Sequence, residues 1–118
     1  MRSYRTMALC IAVVAATLCA CVPSISGPEA AELEKAVRPM LDNMCQGGGS
    51  VSASAWPPPL QEVHPDSVWV TTEGMYARTS KVLATERGVF VACHPEQFEP
   101  RKGADPSYEA VQAGVYTY

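Results

Sequence analysis

The sequence has no excess of positive charge: 9 Lys and Arg stand against 12 Asp and Glu, a formal net charge of −3. Nucleic-acid binding relies on basic patches that neutralise phosphates, so this balance argues against such a partner. No G-x-S-x-G, H-E-x-x-H or dinucleotide-binding fingerprint occurs, and the C-x-x-C-H of a haem attachment site is missing. The apolar run from Met7 to Val22 falls short of the roughly 20 residues that a membrane-spanning helix needs. There is no internal repeat. An apolar share of 47% with so small a net charge excludes a disordered chain, and 118 residues leave room for one domain.

What is present begins with an export signal. Arg2 and Arg5 form a positive leader, followed by an Ala- and Val-rich run from Met7 to Leu18. Leu18-Cys19-Ala20-Cys21 resembles the lipobox of bacterial lipoproteins, with Leu three positions before a Cys and a small residue just before it. Cys21 suits the modified position better than Cys19, which bulky Leu18 would precede. The resemblance covers these residues alone and implies removal of residues 1–20, a diacylglyceryl thioether on Cys21 and acylation, typically by palmitate, of the new terminus. Val22 stands where an Asp often marks inner-membrane retention in such proteins, which implies the outer membrane with the domain in the periplasm. Each buried methylene contributes about 0.8 kcal/mol, so several chains anchor firmly where one binds reversibly. Losing Arg2 and Arg5 takes the formal charge from −3 to −5, an acidic domain rather than a polybasic membrane binder.

Residues 21–27 read as a short tether. At about 3.3 Å per residue Val22 to Gly27 spans at most on the order of 20 Å, so the domain, 28–118, sits close to its membrane. Pro28 to Cys45 reads as an amphipathic helix. Ser26 and Glu29 have the spacing of a capping box, and Ala30, Leu33, Val37, Met40, Leu41 and Met44 trace one buried stripe. Glu34 and Arg38 are four apart and pair on the wet face. Pro39 predicts a kink or two shorter helices. Gly47-Gly48-Gly49 ends the helix; it follows a helix and lacks the Lys of a phosphate-binding loop.

The connection from Gly47 to Asp66 carries Trp56-Pro57-Pro58-Pro59. This run is either a stiff loop whose Trp covers the edge of the core or a polyproline ligand for a partner's aromatic groove. Period-two alternation then takes over. Val68 and Val70 alternate with Trp69 and Thr71, and Val89, Val91 and Cys93 alternate with Phe90 and Ala92. Met75 to Ala84 is read as a strand, with Thr85-Glu86-Arg87-Gly88 as the turn of a hairpin. Residues beyond Pro95 are loop-like, and Tyr108 to Tyr118 adds a short helix or, as Gly114 to Tyr118 favours, an edge strand. The predicted fold is α+β: one helix on a small antiparallel sheet of three to four strands, held by one disulfide.

That disulfide follows from two patterns. Cys45 continues the row Leu33, Val37 and Leu41 on the helix, and Cys93 shares strand parity with Val89 and Val91, so a helix packed on a sheet brings both sulfurs into one interface. Sharper readings of the same residues fit less well. Cys93 and His94 are adjacent on a strand and point to opposite faces, which does not suit a thiolate and its base. Cys45, Cys93, His64 and His94 lack paired zinc-ligand spacing, and His64-Pro65-Asp66 has the make-up of a turn. No catalytic residue, metal or cofactor is predicted. The expected role is that of a non-catalytic envelope lipoprotein, a protein-binding accessory or pilot subunit of an outer-membrane or secretion assembly. The alternatives are a phage- or plasmid-encoded exclusion or lysis lipoprotein and an exported small-ligand binder.

Overall fold

The structure, a computed structural model, describes residues 25–100 and 108–118. The signal segment, the lipobox with Cys21 and the start of the tether lie outside the described residues. Helix α1 spans Gly27–Met44, starting one residue earlier than the sequence suggests. Its start is the expected capping box: the Glu29 N–H donates to Ser26 Oγ at 3.3 Å, and the Ser26 N–H donates to Glu29 Oε1 at 3.0 Å. Ala30, Leu33, Val37 and Leu41 are buried, with Met40 and Met44 packed beside them.

Two readings of this helix need correction. It runs through Pro39 as one element, so of the two expectations for that proline the split into two helices is the one that fails. Pro39 and Lys35 are both exposed, so the proline falls on the solvent side of the helix, where a missing backbone bond costs least, while the buried stripe holds both halves down. Arg38 does not stay on the wet face. Its Nε donates to Glu34 Oε1 at 2.9 Å, but Nη1 donates to the Cys93 carbonyl at 2.9 Å and Nη2 to that of Ala92 at 3.1 Å. A guanidinium has donors enough to hold a carboxylate and a strand end together.

The remaining elements are β1 (Gly49–Ser50), a 3-10 turn (Ala53–Ala55), α2 (Pro58–Glu62), β2 (Ser67–Val70), β3 (Gly74–Val82), β4 (Thr85–Ala92), β5 (Glu109–Gln112) and β6 (Val115–Thr117). The α+β class holds, but the antiparallel sheet has six strands, in the order β1-β2-β3-β4-β6-β5, not three to four. The additional strands are short. β1 hides in the glycine-rich connection, and the final segment forms a hairpin whose second strand inserts between β4 and β5. The connection from Gly47 to Asp66 also holds α2, which begins at Pro58, where a preset φ and a missing N–H are both suited to a helix's first position.

The β3–β4 turn is Leu83-Ala84, because Val82 pairs with Thr85. Thr85 to Gly88, expected as the turn, instead lengthens β4. Gly88 is small for another reason: a Cβ there would strike the Ala77 carbonyl and lie 2.7 Å from Tyr118 Oη.

Each sheet face has its own core. Val68, Val70, Met75, Ala77, Val89, Val91 and Val115 meet α1 and Leu60. The opposite parity forms an aromatic ladder, with Trp69 across from Tyr76, Tyr76 from Phe90, and Phe90 from Tyr116. The disulfide joins Cys45, the residue that caps α1, to Cys93 just past β4. Helix and sheet are thus covalently tied at the end remote from the β3–β4 turn. Among the described residues no helix is long and apolar enough to cross a membrane.

Candidate functional site

A cleft of about 570 Å³ lies between the first turns of α1, the end of α2 and the middle of the β3–β4 pair. Its apolar lining comes from Ile25, Pro28, Pro59, Val63 and Val89. Glu29 and Glu32 bring carboxylates from α1, and Glu62 brings a third from α2. No lysine or arginine lines it among the described residues. Local sequence explains the placement. The capping box fixes where α1 begins and Pro58 fixes where α2 begins, which points Glu29 and Glu62 at one opening. Thr79 has the strand parity of Met75 and Ala77, which face the helix side, and it lines the cleft at the register shift between Arg78 and Ser80, with its hydroxyl donating to the Arg87 carbonyl at 3.2 Å.

The electrostatics are those of a negative rim. Hydrogen bonds from the Ser26 backbone and hydroxyl hold the Glu29 carboxyl below its ordinary range, so it stays ionised at neutral pH. His64 also lines the cleft, at φ +55, and no hydrogen bond links its ring to a carboxylate among the described residues. Chemically the cleft offers apolar contact and carboxylate acceptors, which suit a cationic, partly apolar segment.

A second, more polar hollow of about 400 Å³ is lined by Thr72, Glu73, His94, Gln97, Phe98 and Glu99. His64 and His94 therefore belong to different cavities, and the disulfide takes both cysteines of the four-residue set weighed for zinc. Among the described residues no group of three or more His, Cys, Asp and Glu is placed to hold a metal ion.

Trp56 is half-buried against the helix-side core, and its indole N–H donates to the Val51 carbonyl at 3.0 Å. Pro57 is extended at φ −66 and ψ 159, while Pro58 and Pro59 already belong to α2 and Pro59 faces the cleft. Of the four residues, Pro59 lines the cleft and Trp56 packs on the core.

Sequence reasoning missed two features. The first is the aromatic layer. Tyr76 Oη and Tyr108 Oη are 2.9 Å apart, and Phe90 packs on Phe98 at 4.7 Å between ring centroids. Desolvation pushes the Tyr76, Tyr108 and Tyr118 hydroxyls above their usual range, and buried Tyr118 Oη has no hydrogen-bond partner among the described residues. The signal was there in the aromatics at the parity opposite to the valines. The second is the β3–β4 tip, where Val82 is 57% and Leu83 92% exposed and Leu83 has φ +56. No family model, no curated protein and no solved structure matches the chain.

Proposed function

We propose that the protein is a non-catalytic lipoprotein of the cell envelope, anchored through lipid on Cys21, whose domain docks another envelope protein in the cleft between α1 and α2. The observation that carries this reading is the cleft itself: an apolar wall rimmed by Glu29, Glu32 and Glu62, at the end of α1 where the tether arrives. A partner segment bearing Lys or Arg among apolar residues complements it in charge and character. A short tether and a disulfide-tied core suit an accessory or pilot subunit that holds a partner at the outer membrane.

Photo-crosslinking in cells tests the docking. With benzoylphenylalanine at Val63 in the full-length chain, one defined protein adduct is expected, and none with the same group at exposed Ala110 on the edge strand β5. Glu32→Lys combined with Glu62→Lys should remove the adduct while the protein stays in the membrane fraction. Identical adducts from both positions, or none from Val63, contradict the reading. The non-catalytic part is tested separately. His64→Ala and His94→Ala should each retain the cellular phenotype of the gene, and loss of phenotype at an unchanged Tm would bring catalysis back.

A further inference from the structure

The β3–β4 hairpin combines two features that each work against stability in a free domain. Its tip places Leu83, 92% exposed, beside Val82, 57% exposed, where such turns ordinarily carry polar residues or glycine. Leu83 also sits at φ +56, a backbone region that a Cβ disfavours. An exposed, strained, apolar residue is the kind of outlier from which a functional hypothesis can be drawn.

Its place in the fold gives the tip a direction. The Cys45–Cys93 disulfide ties the C-terminal end of α1 to the sheet end where Gly74 pairs with Ala92. The N-terminal end of α1 lies at the other end, where Ile25 and Pro28 share a cleft with Thr79 of β3 and Val89 of β4. From Thr79 the hairpin continues away from the disulfide to Leu83, about 13 Å further at strand rise. The chain therefore enters from the tether at the same end from which the hairpin projects. Between Cys21 and Ile25 the chain spans at most about 14 Å. An anchor on Cys21 would hold that end of the domain against the bilayer.

We infer that the β3–β4 tip is a membrane-contacting finger, with Leu83 and Val82 entering the interfacial region of the lipid bilayer beside the anchor. This rests on the lipoprotein reading above, which fixes the tether. Lys81, Glu86 and Arg87 flank the tip, with Lys81 Nζ 3.9 Å from Glu86 Oε1, and keep these charged groups at headgroup level while the apolar pair enters. The occupant is lipid because a short tether presents the tip to lipid whatever protein is bound. The finger would fix the orientation of the domain, so that the cleft opens along the membrane surface.

The full-length lipidated protein, reconstituted into phosphatidylcholine–phosphatidylglycerol vesicles, tests this with added tryptophans. Leu83→Trp reports from the tip; Ala113→Trp, in the exposed β5–β6 turn at the disulfide end, is the control. Palmitate incorporation is measured on the same preparations, and thermal melting checks that both variants keep the wild-type fold. Relative to wild type, the Leu83→Trp emission should be blue-shifted and lose most of its intensity when the lipid chains are brominated, while the Ala113→Trp emission should be unaffected. Incorporated palmitate with an unquenched Leu83→Trp overturns the finger and leaves the lipoprotein reading intact. A blue shift without quenching by brominated lipid means that protein or a second copy covers the tip, and also overturns it. Absence of palmitate overturns the lipoprotein reading, and the finger with it.

Discussion

Tyr118 shows how a single hydroxyl can cost stability. Its ring belongs to the aromatic layer, but its buried Oη has no hydrogen-bond partner among the described residues. An unsatisfied buried hydroxyl carries a desolvation penalty of about 1–3 kcal/mol, so Tyr118→Phe should leave stability unchanged or raise it by about 1 kcal/mol. Tyr108→Phe is the matched comparison. It breaks the 2.9 Å bond to Tyr76 Oη and should lower stability by about 1 kcal/mol, both changes read from urea unfolding. The same residues set the alkaline limb. Desolvation raises the hydroxyl pKa of Tyr108 and Tyr118 in the folded state above the unfolded value of about 10. A raised folded pKa means that stability is complete below pH about 10 and falls as pH rises beyond it, because the unfolded chain gives up the proton first. Unfolding free energy measured across that range should decline above pH about 10, and Tyr118→Phe should shallow the decline. A decline that already begins near neutrality would point to another group.

At the scale of elements, the β3–β4 turn and the disulfide have opposite effects on stability. Leu83 at φ +56 costs about 1–2 kcal/mol, and glycine returns part of the gain through the entropy of its unfolded state. Leu83→Gly should therefore raise stability by about 0.5–1 kcal/mol, a Tm increase of a few degrees in a domain this small. Cys45 and Cys93 are 48 residues apart in sequence, and closing a loop of that size stabilises by roughly 4 kcal/mol in the chain-entropy account. Cys45→Ala and Cys93→Ala should be equally destabilised and the double variant no worse than either, since both remove one bond. Additive losses would contradict the bridge. These elements also differ in how legible they were. The helix, its capping box and the cysteine pair can be read from the sequence because each is local or rests on a clean periodicity. The turn was misplaced because Gly88 resembles a turn glycine, whereas its real constraint is the approach of Tyr118 and Ala77 from distant strands. β1 and α2 were hidden for a similar reason. Two residues are too few to show alternation, and three prolines mask a helix start whose one buried residue is Leu60. Arg38 has the ordinary spacing of a surface ion pair, and nothing local betrays its bonds to the end of β4.

For the whole molecule, a sheet with a helix core on one face and an aromatic core on the other puts the cleft, the first turn of α1 and the hairpin tip at one end and the disulfide at the other. The cleft was only partly legible. Glu29 and Pro28 could be placed at the start of α1, but Glu62 and Val63 join them through α2, a single helical turn too short to show a periodicity, and Thr79 through the distant strand β3. On the proposed reading, this polarity orients the molecule at its membrane, with the partner-binding cleft close to the lipid and the covalent tie away from it. Everything in that picture depends on where the mature chain begins and what its first residue carries. Mass spectrometry of the N-terminal peptide from protein purified out of its own membranes measures both directly. The expected result is a chain that starts at Cys21 with a diacylglyceryl thioether and an acylated amine, and Cys21→Ser protein that keeps residues 1–20. A mature chain that starts at any other residue, or an unmodified Cys21, would contradict it.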